Sequence, residues 1–488
     1  MPEKRILTRR ELLRCASFVA ASAAFSLESL AEPVQRKEKP VDRPNILFAI
    51  ADDWSWPHAG VYGDQVVKTP AFDCVAKEGV LFSNAFCAAP TCTASRGAIL
   101  TGQAAHRLED GANLWSTLPK QFQVYPDLLE EAGYFVGHAG KGWGPGNVEA
   151  GGRTRNPAGP RFANFAEFLK QKPADKPFCF WFGSLKPHRP YEKGSGLKAG
   201  MKTDDVNVPP FWPDTPEVRS DILDYYKEVM DYDAEVAELL ETLDKTGLVE
   251  NTLVVVTSDN GMPFPRAKCN MYDAGTHMPL AIRWPARIKS GWKTEEFINA
   301  VDFAPTFLEA AGLKPLPEMT GRSFLDLLTT GISGGRDRAF CERERHTDRR
   351  EGRKSYPMRA VRTKKFLYIR NLRPDLWPAG DPQHDAPEPI YGGGFSDIDS
   401  SPTKSAILER RDDPKFKRFF ELACAKRPEE ELYDLKKDPW QIENVADNPD
   451  YADAKRRMRA MLDEWMESTA DPRAKGETDF WDKCPYRK

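Results

Sequence analysis

Short unbroken apolar runs recur along the chain, and a polar cluster follows each of them. Residues 45–51 read N-I-L-F-A-I-A and lead into Asp52-Asp53. Residues 134–140 lead into Lys141, 178–184 into Lys186-Pro187-His188, and 253–258 into Asp259-Asn260-Gly261. Runs of this length, rich in Val, Ile and Phe and lacking polar alternation, predict strands buried on both faces of a mainly parallel sheet. Between them the apolar positions take a helical period. Short helices are predicted over 69–78 and 126–132. A long one is predicted over 217–245, where Ile222, Tyr225, Tyr226, Val229, Val236, Leu239, Leu240 and Leu243 share a face and Gly247 follows the end. Strands alternating with helices predict a layered α/β fold. In such sheets ligands bind beyond the carboxyl ends of the strands. The four polar clusters all fall at that edge, which points to one shared site.

After about residue 352 the pattern changes. Residues 358–362 and 366–370 alternate around Lys364-Lys365 as a hairpin, 375–402 is a Pro-, Gly- and Asp-rich irregular stretch, and a helix is predicted over 451–467. The expected organisation is a main domain over residues 44–352 and a smaller α+β subdomain over 353–488. The first residues differ from both. Arg9-Arg10, an Ala-rich apolar stretch over 16–27 and Ser29-Leu30-Ala31 read as a twin-arginine-type signal peptide over residues 1–31, with a charged linker over 32–43. The apolar stretch is too short to span a bilayer comfortably, so cleavage, a mature chain without a membrane span and a periplasmic or secreted location are expected.

Charge and cysteine content narrow the chemistry. A formal net charge of -3 lacks the basic excess of a nucleic-acid-binding protein. An anionic ligand would have to be held by local Lys, Arg and His. None of the nine cysteines has C-x-x-C spacing, which argues against a zinc site, and a chain this large needs no disulfide framework. Asp52, Asp53, Asp259 and Asn260 are hard oxygen donors suited to Ca²⁺ or Mg²⁺. Singly, Asp-Asn-Gly is a common turn and Asp-Asp a common helix cap.

The segment Ala89-Pro90-Thr91-Cys92-Thr93-Ala94-Ser95-Arg96, continuing to Thr101-Gly102, gives those acids a context. With Asp-Asp upstream and Asp-Asn-Gly downstream in the same order, the mature chain resembles the formylglycine-dependent sulfatases over essentially its whole length. The run Ser258 to Pro265 with Asn270 and Tyr272, and Glu431-Leu432-Tyr433-Asp434 with Asp438-Pro439 and Asn444, are similar to the heparan N-sulfatase (sulfamidase) group.

The resemblance implies an alkaline-phosphatase-like α/β sandwich with a smaller C-terminal subdomain. It also implies that a formylglycine-generating enzyme oxidises Cys92 to formylglycine, whose hydrate is the nucleophile. Calcium would be held by Asp52, Asp53, Asp259, Asn260 and the modified Cys92. Arg96 and Lys141 would stabilise the hydrate and the sulfuryl group. His188 and Lys268 would contact the sulfate and help protonate the leaving group. The implied substrate is a sulfated carbohydrate, as ester or sulfamate. The chain departs from the family pattern at Ala94, where most members carry Pro, and at Trp143, where a His is common. Two other readings stay open: a phosphodiester or phosphonate monoester hydrolase of the same superfamily, and a non-catalytic sulfated-glycan-binding protein in which Cys92 is never modified.

Overall fold

The computed structural model describes residues 43–383, 394–476 and 478–487. The expected signal peptide and nearly all of the linker lie outside these residues, as does part of the irregular stretch after residue 375.

The apolar runs form the centre of a seven-stranded sheet. Its strands are β1 (Asn45–Ala51), β2 (Val80–Phe86), β3 (Phe135–Gly140), β4 (Phe178–Gly183), β5 (Thr252–Ser258), β6 (His277–Arg283) and β7 (Trp292–Asn299), in the spatial order β3-β4-β1-β5-β6-β2-β7. The pairs β3–β4, β4–β1, β1–β5 and β2–β7 are parallel, and β6 runs antiparallel to both β5 and β2. The sheet is therefore mainly parallel, as the continuous apolar runs predicted.

Strand parity explains why β1 shows no polar alternation. Leu47, Ala49 and Ala51 join Val254 and Val256 in one apolar cluster, where they meet Phe72 and Val75 of helix α1 (Pro70–Glu78). Ile46, Phe48 and Ile50 join Leu253 and Val255 in the opposite cluster with Ala98, Ile99 and Leu100 of helix α2 (Cys92–Thr101). Each face of the strand is a core, so every position is apolar. Helix α3 (Tyr125–Glu131) adds Tyr125 and Leu129 to the second cluster, and helix α4 (Phe165–Gln171) adds Phe165 and Phe168 to the first. The long helix α5 (Pro216–Asp244) lays its predicted stripe into the first cluster, from Val218 and Ile222 to Leu240 and Leu243.

A second, four-stranded antiparallel sheet has the order β11-β10-β9-β8. Its strands are β8 (Arg338–Arg343), β9 (Met358–Thr363), β10 (Phe366–Asn371) and β11 (Glu430–Asp434), with β9 and β10 forming the predicted hairpin. One face packs Val361, Tyr368 and Leu432 against Met458, Leu462 and Met466 of helix α6 (Ala452–Ser468). The other buries Ala360, Leu367 and Tyr433 with Phe86, Met271 and Phe297 from the main sheet and its loops.

Candidate functional site

The carboxyl ends of β1, β3, β4 and β5 lie side by side, because these four strands are adjacent and parallel. Each therefore delivers its polar cluster to the same edge. Two glycines let the chain close up there. A Cβ at Gly140 would lie 2.0 Å from the Gly183 carbonyl oxygen, and one at Gly183 would lie 1.7 Å from that of Lys141. Gly140 also has φ 70°, a left-handed conformation that glycine adopts without strain. Lys141 then donates its N–H to Gly183 O at 2.7 Å, which sets Lys141 at the edge of the site.

Asp52, Asp53 and Asp259 bring one oxygen each within 4.8 Å of one another, and all three are buried. Asp53 has φ 78°, a conformation that needs support in a non-glycine residue. That support comes from β5: Asp53 N–H donates to Asp259 Oδ1 at 3.1 Å, and Asn260 Nδ2 donates to Asp53 Oδ1 at 2.6 Å. Asn260 also donates its Nδ2 to Gly261 O at 2.9 Å, while its Oδ1 is buried and accepts no hydrogen bond among the described residues.

Each carboxylate is held by a basic side chain from a different element. Lys141 Nζ donates to Asp52 Oδ2 at 2.6 Å, Lys268 Nζ to Asp53 Oδ2 at 2.7 Å, and Arg96 Nε to Asp259 Oδ2 at 2.7 Å. Arg96 is wholly buried on α2. Its Nη1 donates to the carbonyls of Lys141 and Gly142 at 2.7 and 3.0 Å, and its Nη2 stands 3.7 Å from Asp52 Oδ1. Burial alone would raise the Asp52 carboxyl, yet Lys141, His188, Arg96 and Lys268 hold it well below the usual carboxylate range. At Asp259 burial outweighs Arg96 and pushes the carboxyl up to about 6.

Cys92 is the first residue of α2, and its thiol donates to Asp52 Oδ1 at 3.3 Å. Burial, reinforced by the Asp52 charge, pushes the thiol well above its ordinary value. An unmodified Cys92 is thus a protonated thiol rather than a thiolate nucleophile. The preceding Thr91 hydroxyl pairs with His346 Nδ1 at 2.8 Å. His188 follows β4. Its Nδ1 donates to Arg189 O at 2.5 Å, turning Nε2 toward Asp53 Oδ2 at 3.9 Å. The loop is anchored by Arg189, which donates from both Nη atoms to Asp221 of α5 at 2.8 and 2.9 Å and lies over the Tyr191 and Phe264 rings.

The structure thus brings together all nine residues singled out in the sequence: Asp52, Asp53, Cys92, Arg96, Lys141, His188, Asp259, Asn260 and Lys268. It adds one that sequence reasoning passed over. Asp399 is buried beside them, with Oδ2 3.6 Å from Lys268 Nζ and one oxygen within 4.8 Å of both Asp53 and His188. Burial would raise its carboxyl, but Lys268, His188, His346 and Arg189 lower it, so it is ionised. No local signal marks it in its Pro-, Gly- and Asp-rich stretch. At the two departures from the family pattern the structure is plain. Trp143 is buried in the apolar cluster of α2, its backbone held by Asn156 at 2.9 Å on both sides. Ala94 packs with Ala89, Ala105, Ala112 and Trp481.

The donor set fits a hard divalent cation. Three clustered carboxylates and a buried amide oxygen left without a hydrogen bond form an oxygen-only group, with no thioether or imidazole among the four. Around it Arg96, Lys141, Lys268 and His188 suit an anion bound next to the ion.

Comparison with known proteins agrees with this geometry. The family model described as Sulfatase matches residues 44–149 and 161–313, and that described as N-sulphoglucosamine sulphohydrolase, C-terminal, matches 266–391. An "Ulvan-active sulfatase" of Formosa agariphila is 30% identical over 94% of this chain and 88% of its own. The human N-sulphoglucosamine sulphohydrolase is 29% identical over 88% and 91% respectively. A solved structure described as in complex with its substrate D-glucosamine-2-N,6-O-disulfate superposes with a TM-score of 0.64 at 20% identity, covering 90% of this chain and all of that one. It shares the alkaline-phosphatase-like fold. With a site of this composition at the edge where the four strands end, and with both halves of the chain matched in order, the chain belongs to the sulfatase family.

Proposed function

We propose that this sulfatase removes sulfate from a sulfated sugar, as an ester or a sulfamate, using a formylglycine made from Cys92 and a calcium ion. The observation that carries the reading is the placement of Cys92 against Asp52, one of three clustered, buried carboxylates that each hold a separate cationic side chain. Asp52, Asp53, Asp259 and the orphaned Oδ1 of Asn260 would hold the ion, together with the modified residue 92. The ion would polarise a sulfate oxygen, and the hydrated aldehyde would supply the attacking oxygen that a protonated thiol does not.

The remaining roles fall to the chain's own side chains. Arg96 is locked by three hydrogen bonds and stabilises negative charge beside residue 92 without reorganising. Lys141 lies on the other side of Asp52 and neutralises the incoming sulfate. His188 keeps Nδ1 engaged with a backbone carbonyl, so Nε2 is the nitrogen that faces the site and can carry a proton to the leaving group. Lys268 stands beside it. The sugar assignment is supported by relatives named as an ulvan-active sulfatase and as an N-sulphoglucosamine sulphohydrolase. We also propose export by the twin-arginine-type signal to the periplasm or beyond. A formylglycine-generating enzyme would act on Cys92 beforehand, because twin-arginine substrates cross folded.

The test joins mass and turnover. The peptide containing Cys92, from protein made in a host with the modifying enzyme, should have the mass of the aldehyde and react with an aldehyde probe. The same protein should release sulfate from a sulfated mono- or oligosaccharide, and Cys92→Ala should abolish release with an unchanged melting temperature. An unmodified thiol in active protein, or retained turnover in Cys92→Ala, would sink the formylglycine reading. Faster cleavage of a phosphodiester or a phosphonate monoester, read as release of its alcohol or phenol, would favour that other hydrolase activity.

A further inference from the structure

Among the described residues, Asp399 is a buried charged group at the site to which the reading above gives no task. Its neighbour Asp397 shows what a satisfied buried carboxylate looks like here: it accepts from Thr347 N at 2.9 Å, from Thr347 Oγ1 at 2.7 Å, and from Arg343 and Arg350. Asp399 is 2% exposed, and neither of its oxygens accepts a hydrogen bond among the described residues. A buried, ionised carboxylate in that state is costly, and it stands in a site built for an anion.

Its position relative to Lys268 suggests why it is kept. The Lys268 ammonium lies between two buried carboxylates, 2.7 Å from Asp53 Oδ2 and 3.6 Å from Asp399 Oδ2. The oxygen that holds the ammonium belongs to a residue assigned above to the calcium ion. An ion drawing on Asp53 competes with Lys268 for the same carboxylate. With Asp399 beside it the ammonium keeps a carboxylate partner when the ion draws on Asp53, and its charge then opposes the ion less. A movement of about 1 Å turns the Asp399 contact into a full hydrogen bond.

We infer that Asp399 is a positioning residue that receives the Lys268 ammonium when a divalent cation takes Asp53, keeping the lysine in the site beside His188. The inference rests on the calcium reading above. It assigns Asp399 no bond to the ion or to substrate.

The test is a double-mutant cycle on calcium affinity, which needs neither formylglycine nor turnover. Calcium is titrated calorimetrically into the full chain carrying Cys92→Ala, alone and with Asp399→Asn, Lys268→Met or both. Asp399→Asn should weaken binding about tenfold while Lys268 is present, a size within the range of coupled buried pairs. In the Lys268→Met background it should change binding by less than about twofold, because no ammonium remains to be received. Equal losses in both backgrounds would mean that Asp399 acts on the ion by charge alone, and would overturn the assignment. So would an unchanged affinity in Asp399→Asn, which together with a raised KM for the sugar in the loaded enzyme would give Asp399 to the substrate instead. Thermal melts in chelator check folding, and if Asp399→Asn does not fold, Asp399→Ser takes its place in the cycle. A parent protein that binds no calcium fails the earlier reading instead, and does so in the first titration.

Discussion

Calcium binding should weaken as pH falls through about 6, and one residue sets that limit. Asp259 is wholly buried and accepts from Arg96 Nε, Asp53 N and Asn260 N. These contacts favour the ion, but burial outweighs them and carries the carboxyl up to about 6. Asp52 is held far below that range by its cationic neighbours. Between pH 5 and 7 the proton that an incoming ion must displace is therefore on Asp259. At pH 7 the residue is about nine-tenths ionised, and at pH 5 about one-tenth. Apparent affinity should fall about tenfold between these values, or about 1.4 kcal/mol. Proton release on binding should rise from about 0.1 to about 0.9 per ion. Calorimetry at both pH values, in buffers of different ionisation enthalpy, reads affinity and proton release together. Asp259→Asn should bind more weakly and lose the pH dependence. Affinities equal within twofold at pH 5 and 7, or no proton release at pH 5, would refute the argument.

His188→Ala should slow release from a sugar sulfate or sulfamate by about 10²–10⁴-fold and cost far less with a nitrophenyl sulfate, whose leaving group is weakly basic and needs little help from an acid. Equal losses on both substrates, measured as sulfate release, would show that His188 does not deliver the proton. His277 should contribute to acid instability. It is buried between the Trp56 and Phe86 rings, and burial pushes it down to about 4 from 6.5. A depressed histidine contributes stability that is fully present above pH 6.5 and is lost as pH falls from 6.5 through 4, up to about 3 kcal/mol. Urea unfolding of wild type and His277→Gln should therefore differ most at pH 7.5, with the gap narrowing by pH 4.5; a gap independent of pH would count against it.

How much of this could be read from sequence depended on whether the signal was local. β1, β3, β4 and β5 were legible because both faces of each are cores, which forces an unbroken apolar run. β7 was not. It is an edge strand reading W-K-T-E-E-F-I-N, and its outward positions are charged because nothing covers them. β2 and β6 were also passed over. β2 carries Ser83 and Asn84 where its register shifts, and β6 begins with a histidine, His277, straight after the helical turn Asp273–Thr276 and includes a Pro. Element ends moved by about one residue where caps decided them: α5 begins at Pro216, a favourable first helical position, rather than at Glu217.

The site divides in the same way, and the division has a physical reason. Residues whose work is done at the end of a strand are announced by the strand, so Asp52-Asp53, Lys141, His188 and Asp259-Asn260 were marked by position, and the family pattern then gave them their roles. Arg96 and Lys268 needed the family pattern, because a buried arginine on a small-residue helix or a lysine in a Pro-rich loop carries no local mark of burial. Asp399 carried neither kind of signal. Its significance lies in the 3.6 Å to Lys268 and in the hydrogen bonds it lacks, quantities that exist only once residues 131 positions apart are folded together. The same holds for the Arg189–Asp221 pair that anchors the His188 loop. In this protein the strands announce which groups can bind an ion and an anion. The buried pairs that keep those groups apart, and available, are set by packing between elements distant in the chain. Substitutions at Asp221 or Asp399 should therefore disturb the site more than their local sequence suggests.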